Sequence, residues 1–141
     1  MDWLKNIVSC KMHDLVHDLA LHMSMEHCLT VAGDNTDDVL MGITHLRLVG
    51  ANTEKISEVC RRSLWGLQTL YLQGNFFDGI LKELKQLRVL VLSGEDVVNL
   101  PSSIGGLIHL RYIDIVETGI MTLPDSISEL YLLQTLRIRR L

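Results

Sequence analysis

The sequence predicts an α/β fold in which short parallel strands are stacked through a repeated apolar core. The pattern L-x-x-L-x-L, with isoleucine in place of leucine at some positions, occurs five times in the chain of 141 residues. Its copies begin at Ile43, Leu67, Leu87, Leu110 and Leu133, so that they are 24, 20, 23 and 23 residues apart. Leucine-rich repeats have spacings of roughly 20 to 29 residues. We therefore expect a leucine-rich-repeat solenoid over residues 43–141, with about five repeats and the last one incomplete.

The segments between the strands also repeat. Residues 100–110 and 123–133 are identical at six of eleven positions, and both begin with a Leu-Pro pair. Proline lacks an amide donor and restricts the chain as it leaves a strand, and the S-I-x-x-L sequence that follows is long enough for one or two helical turns. We expect parallel strands on the concave side of the solenoid and short helices or irregular turns on its convex side.

The strand residues that alternate with the leucines should point to the concave side, because successive side chains of a strand lie on opposite faces. Repeat proteins bind partners on such surfaces, and tyrosine and arginine are favoured at binding hot spots. Solvated faces carry the same residue types, so both interpretations stay open, and no catalytic grouping occurs among these positions. The candidate protein-binding residues are His45, Arg47, Thr69, Tyr71, Gln73, Val91, Tyr112, Asp114, Arg137 and Arg139.

Composition narrows the class of protein. The formal net charge is −4, from 13 Lys and Arg against 17 Asp and Glu, and no basic stripe is visible. This argues against a nucleic-acid binder, which needs clustered positive charge. No run approaches the roughly 18 apolar residues of a membrane span, and three cysteines are an odd number that suits free thiols in a reducing compartment. We expect a cytoplasmic protein, with the nucleus as the alternative.

The N-terminal part of the chain has a different pattern. Residues 7–12 are compatible with a strand, and the apolar spacing from Asp14 to about Leu29 is that of an amphipathic helix, for which Asp14 is a good N-cap. Residues 33–42 are polar and rich in turn-forming residues. We therefore expect a separate unit over residues 1–32 and a connector over residues 33–42.

The sequence His13-Asp14-x-x-His17 is open to a metal-site interpretation. Two histidines four apart on a helix share a face and can bind one Zn²⁺, as in the H-E-x-x-H motif of metalloproteases. Aspartate replaces the glutamate here, and if Asp14 caps the helix, His13 lies outside its regular part. The candidates for a third ligand are His22, Cys28 and Cys10, which have no recognised spacing. A zinc-dependent hydrolase using His13 and His17 therefore remains an alternative, and exposed histidines on a polar helix face are the simpler interpretation.

The order of these features resembles the nucleotide-binding leucine-rich-repeat (NLR) resistance proteins of plants. Met12-His13-Asp14 matches their MHD motif, which closes the winged-helix part of the NB-ARC nucleotide-binding domain, and an amphipathic helix and repeats follow it. The resemblance implies that residues 1–32 correspond to a winged-helix remnant. It also implies that His13 contacts the β-phosphate of bound ADP, that Met12 packs and that Asp14 fixes the local turn.

The phosphate loop of that family, G-x-x-x-x-G-K-[ST], does not occur in these 141 residues. We therefore expect no cofactor in the isolated chain, and ADP or ATP only where the chain is part of a complete receptor. The expected function is non-catalytic: regulation and protein binding, with a host target, a pathogen effector or another NLR as partner. The last predicted strand has no polar capping unit after it, which also allows self-association. A truncated gene product without independent activity is the further alternative.

Overall fold

The computed structural model describes residues 28–32, 42–50, 65–74 and 78–140. These ranges contain one short α-helix, α1, which spans Asp78–Glu83, and two 3-10 helices, which span Ser102–Gly106 and Asp125–Glu129. No helix in these ranges has the length and apolar character that a membrane crossing requires. They also contain six strands of five residues each: β1 Cys28–Ala32, β2 His45–Val49, β3 Thr69–Gln73, β4 Val89–Ser93, β5 Tyr112–Val116 and β6 Thr135–Arg139.

The strands form one parallel sheet whose spatial order, β1 to β6, is the order of the chain. Each strand pairs residue for residue with the next, so that the first leucine of each L-x-L pair lies opposite its equivalent. Strands β2 to β6 lie where the five copies of the repeat predict them. The fold is therefore α/β with a parallel sheet and few helices, and it is compatible with leucine-rich repeats.

Strand β1 corrects the expected N-terminal helix. Cys28 and Leu29, placed at the end of that helix by the sequence analysis, lie in a strand that pairs in parallel with β2. The sequence Leu-Thr-Val contains two β-branched residues, which favour a strand over a helix, and the edge of β2 offers backbone hydrogen-bond partners. The predicted strand at 7–12, the rest of the predicted helix and residues 33–41 of the connector lie outside the described residues, so the division at residue 32 stays a prediction.

The core lies on one face of the sheet and consists almost entirely of leucine and isoleucine. Leu70, Leu90 and Ile113, which are neighbours across three strands, have no exposed side-chain surface, and Leu46 beside them is only 3% exposed. Helix α1 adds Ile80 and Leu81 to the same cluster, and the first 3-10 helix adds Ile104. Burying an aliphatic side chain of this size contributes about 1.5–3 kcal/mol, so this continuous cluster is the main stabilising feature of the described residues.

The predicted return segments are confirmed at both Leu-Pro pairs. Pro101 and Pro124 are extended residues that immediately precede the two 3-10 helices, and each carbonyl accepts a hydrogen bond of 3.1 Å from the amide three residues later. The two helices pack against each other. A side chain at Gly105 would meet Ser126 in the neighbouring helix, because an added Cβ would lie 2.8 Å from the Ser126 carbonyl oxygen. Glycine at this position therefore permits the close approach of the two turns.

A tight turn follows the strands at a common position. Gly50, Gly74 and Gly94 directly follow β2, β3 and β4, and all have positive φ. Glu117 directly follows β5 and has a φ of 51°, a conformation that costs a residue with a side chain roughly 1–2 kcal/mol. The turn geometry of the repeat is thus kept after β5 at the expense of local strain.

The core side of β6 is open. Leu136 and Ile138 are 39% and 47% exposed, although their equivalents in β5, Ile113 and Ile115, are 0% and 1% exposed. The difference arises because no described strand follows β6 to cover them.

Candidate functional site

The face of the sheet opposite the leucine core is called the open face here. It is formed by the first, third and fifth residues of strands β2 to β6. In β2 to β5 these residues alternate with buried ones, and in β6 they alternate with Leu136 and Ile138, which lie on the core side. All ten candidate protein-binding residues lie on it, so the sheet brings them together on one surface. Whether they bind a partner is a separate question that stays a prediction.

The register of the sheet orders the open face into three rows that cross the strands. Neighbouring strands are about 4.8 Å apart, so a row over β2 to β6 covers about 19 Å. The middle row has an arginine at each end and aromatic, apolar and acidic residues between them. The first row is His45, Thr69, Val89, Tyr112, Thr135; the middle row is Arg47, Tyr71, Val91, Asp114, Arg137; and the third row is Val49, Gln73, Ser93, Val116, Arg139.

At one end of the middle row an arginine stacks on a tyrosine. The Arg47 guanidinium carbon lies 4.9 Å from the centroid of the Tyr71 ring. Such a cation–π contact is worth about 0.5–1 kcal/mol where the pair is exposed to solvent. Arg47 is exposed and Tyr71 is half-buried, so the ring supports the guanidinium while leaving its hydrogen-bond donors accessible.

At the other end an ion pair joins the middle and third rows. Arg139 donates through Nη2 to Asp114 Oδ2 at 2.7 Å and through Nε to Asp114 Oδ1 at 3.2 Å. The Tyr112 hydroxyl donates to Asp114 Oδ2 at 3.3 Å. The hydrogen bonds from Arg139 to Asp114 and the negative charge of that carboxylate raise the pKa of Arg139 above its ordinary value. Asp114 was expected to point outward as a contact residue, but it is only 3% exposed, because its neighbours cover it.

Arg137 remains available at this end. It lies beside Asp114 in the register, it is exposed, and it forms no salt bridge with any residue in the part of the chain that the structure describes. The open face of β2 to β6 therefore carries three arginines and one aspartate, and that aspartate is already paired with Arg139. On the open face, Arg47 and Arg137 are the two guanidinium groups without a carboxylate partner among the described residues.

The Arg47–Tyr71 and Asp114–Arg139 contacts were not predicted from the sequence, although the repeat length indicates the first of them. Arg47 and Tyr71 are 24 residues apart, which is one repeat, so they had to become neighbours once the strands were in register. Asp114 and Arg139 are 25 residues apart, two more than the local repeat of 23, and their contact is a diagonal across β5 and β6. Diagonal contacts depend on side-chain conformation, which the repeat spacing does not specify.

The predicted nucleotide and zinc residues cannot be placed. Met12, His13, Asp14 and His17 lie outside the described residues, as do His22 and Cys10. Cys28 belongs to β1. Within the described ranges, no group of three or more His, Cys, Asp and Glu side chains is arranged to hold a metal ion.

A small cleft lies beyond the carboxyl ends of β4 and β5. It is lined by Glu95, Glu117, Thr118 and Arg140, and its volume is about 210 Å³. Arg140 Nη2 donates to the Ile120 carbonyl oxygen at 3.1 Å and is thus partly engaged. Pockets for drug-sized ligands have volumes of roughly 300–1,000 Å³, so the open face is the larger recognition feature of the described residues.

Comparison with known proteins identifies the family through sequence relatives. No protein-family model matches the chain, and no solved structure gives a significant match. The chain is 32% identical to At3g14460 of Arabidopsis thaliana over 92% of its own length and 10% of the relative. It is 32% identical to RFL1 of the same species, over 96% of this chain and 17% of the relative. For RGA1 of Solanum bulbocastanum the identity is 32% over 74% of this chain and 9% of the relative.

All three relatives are named as disease resistance proteins. The chain spans between about a tenth and a sixth of their length. Their names refer to resistance and not to an enzymatic reaction, and two plant species are represented. The resemblance noted in the sequence is thus confirmed: over most of its length, this chain is homologous to plant disease resistance proteins.

Proposed function

We propose that this chain is a non-catalytic, protein-binding segment of a plant immune receptor of the NLR type. In this proposal the strands form a leucine-rich-repeat solenoid, and the open face is its concave side. The observation that carries the proposal is the middle row of the open face, where Arg47 and Arg137 flank Tyr71 and Val91. Arginine and tyrosine are the residue types that dominate binding hot spots, and the leucine core behind them holds their backbones in register.

The proposal gives the N-terminal residues a regulatory role. In a complete receptor His13 would contact the β-phosphate of ADP, with Met12 packed beside it and Asp14 fixing the turn. Support comes from the MHD sequence and from its position N-terminal to the repeats, which is the order that the resemblance to NLR proteins implies. Binding at the open face would then be coupled to the nucleotide state through the short chain between His13 and β1. ADP or ATP would be needed only in the complete receptor, in the cytoplasm or alternatively the nucleus.

The proposed partner is a protein: a host target, a pathogen effector or another NLR.

Proximity labelling tests the proposal. The chain is fused to a biotin ligase and expressed in leaves as wild type, as a Tyr71→Ala/Arg137→Ala variant and as an Arg88→Ala/Arg111→Ala variant. Arg88 and Arg111 are exposed arginines just before β4 and β5, so the last variant also loses exposed arginines but leaves the open face intact. We expect the first variant to lose a set of labelled proteins that the second retains, with unchanged circular dichroism. Equal labelling by all three would contradict binding through the open face.

The alternatives have their own measurements. Stoichiometric zinc in the purified protein that disappears in His17→Ala would support the hydrolase, and protein purified without zinc would argue against it. A truncated product without activity predicts that wild type and the Tyr71→Ala/Arg137→Ala variant label the same proteins.

A further inference from the structure

We infer that the open face recognises an acidic, extended protein segment that crosses the strands and places two carboxylates against Arg47 and Arg137. This inference rests on the proposed function, because it names the chemistry of the partner that the same face would bind. It depends on the distribution of charge, on the distance between the two arginines and on the residues between them.

Acidic side chains are nearly absent from the open face, whereas the rest of the described residues carries charges of both signs. The chain has a formal net charge of −4, yet the open face of β2 to β6 has three arginines and one aspartate. That aspartate is buried and paired with Arg139. The other acidic residues whose side chains are described lie in the helices and turns and not on the open face: Glu83, Glu95, Asp96, Glu117, Asp125 and Glu129. The surface left for a partner is therefore cationic, although the protein is acidic.

The distance between the arginines suits a peptide rather than a nucleic acid. Arg47 and Arg137 lie in the same row, on β2 and β6, four strand intervals or about 19 Å apart. A peptide in the extended polyproline II conformation advances about 3.1 Å per residue and brings every third side chain to the same face. Carboxylates roughly six residues apart would therefore meet both guanidinium groups, with the residue midway between them facing the same surface. A nucleic-acid strand carries a phosphate about every 3.4 Å and is bound by clustered cations. Two arginines at this separation match sparse carboxylates better.

The residues between the arginines allow an acidic segment to approach. Tyr71 and Val91 are half-buried and offer an apolar surface in the middle of the row. Asp114, which would repel a carboxylate, is covered and neutralised by Arg139 through hydrogen bonds of 2.7 and 3.2 Å. The stacking of Arg47 on Tyr71 restricts the guanidinium before a partner binds, and this lowers the entropic cost of binding. A ligand with an apolar residue between its two acids would complement all four positions.

Fluorescence anisotropy with defined peptides tests the inference. The probe is a fluorescein-labelled nonapeptide, SESSLSSES, with glutamates six residues apart and a central leucine. The controls are SQSSLSSQS, which lacks the charges, and SSSELESSS, in which the glutamates are two residues apart. All are titrated with the full chain, and SESSLSSES is repeated with Arg47→Ala, with Arg137→Ala, with the double variant and with Arg88→Ala/Arg111→Ala.

We expect SESSLSSES to bind more tightly than either control peptide. Each single arginine substitution should weaken it roughly 1.5- to 5-fold, the range of an exposed charge pair. The double variant should bind SESSLSSES no better than SQSSLSSQS, whereas Arg88→Ala/Arg111→Ala should keep the wild-type affinity. Raising the salt concentration should reduce the preference for glutamate, because exposed charges are screened.

Equal binding of the glutamate and glutamine peptides, or no binding of either, would overturn the inference. So would a loss in Arg88→Ala/Arg111→Ala as large as in Arg47→Ala/Arg137→Ala, since the attraction would then be non-specific. Tighter binding of a fluorescein-labelled dT12 oligonucleotide through Arg47 and Arg137 would identify a nucleic acid as the ligand instead. These results leave the proximity labelling unaffected: loss of labelled proteins in Tyr71→Ala/Arg137→Ala without a glutamate preference would mean that the open face binds protein by other chemistry.

Discussion

Truncation of equivalent leucines in two strands tests whether the stacked core of the described residues is the arrangement in solution. Leu90 in β4 and Leu136 in β6 hold the same position of the repeat, but Leu90 is 0% and Leu136 is 39% exposed. Leu→Ala at a fully enclosed site removes apolar contact and leaves a cavity, at a cost of about 2.7–5 kcal/mol. We take about 3 kcal/mol for Leu90→Ala. Leu136→Ala removes a side chain that is only partly buried and leaves no enclosed cavity, so we expect it to lower the free energy of unfolding by about 1 kcal/mol.

Urea unfolding followed by circular dichroism measures both changes. With a slope of about 1.5 kcal/mol per molar urea for a domain of this size, Leu90→Ala should lower the midpoint by about 2 M and Leu136→Ala by about 0.7 M. A Leu136→Ala effect as large as that of Leu90→Ala would refute the reasoning, because β6 would then be covered in the folded protein. Repetition at tenfold higher protein concentration distinguishes cover by a second copy, whose effect depends on concentration, from cover within the chain.

The remaining predictions use the same unfolding measurement. Gly105→Ala should destabilise the protein by about 1–3 kcal/mol, because the new Cβ would lie 2.8 Å from a backbone oxygen of the second 3-10 helix; Gly66→Ala, whose Cβ would meet no atom within 4 Å, should leave the midpoint nearly unchanged. Glu117→Gly should stabilise the protein by up to about 1 kcal/mol, since it relieves a left-handed residue at the expense of some backbone entropy, and a lower midpoint would contradict that strain. Asp114→Ala and Arg139→Ala should be non-additive in a double-mutant cycle, and additive effects would contradict the ion pair. The pKa of Arg139 is raised by Asp114, so the stabilisation from this pair is fully present below the unfolded-state pKa of arginine and is lost only at strongly alkaline pH. The coupling should therefore be the same at pH 6 and pH 9.

Sequence alone was sufficient for the strands whose leucines repeat with a regular spacing. Alternating leucines define both the strand and its buried face, so β2 to β6 could be placed without tertiary information. Strand β1 was missed for two reasons. Leu29, which pairs with Leu46, lies only 17 residues before it, and this spacing is shorter than that of leucine-rich repeats. In addition, Glu26 occupies the position at which the repeat has its first apolar residue. Pairing with β2, which no local pattern encodes, outweighs the helical spacing at Cys28 and Leu29.

The candidate site was predictable in its position but not in its internal contacts. A period of two places every alternate strand residue on the open face, whatever its identity. Burial of Asp114 could not be foreseen, because it depends on a diagonal reach by Arg139 and on the Tyr112 hydroxyl. Because Asp114 and Arg139 neutralise each other, the charge that the open face offers to a partner could be determined only from the side-chain positions.

The agreement between chain order and strand order has an evolutionary consequence. Among the described strands, each pairs only with its neighbours in the chain. Duplication or deletion of one repeat unit, such as the 23 residues from the start of β4 to the start of β5, would therefore leave the remaining strands paired in the same way. Such an event between β2 and β6 would move Arg47 and Arg137 apart or together by one strand width, about 4.8 Å, or one and a half residues of an extended peptide. Unequal crossing-over in the gene could thus change which acid spacing is accepted, in fixed increments, while the hydrophobic interior is inherited unchanged.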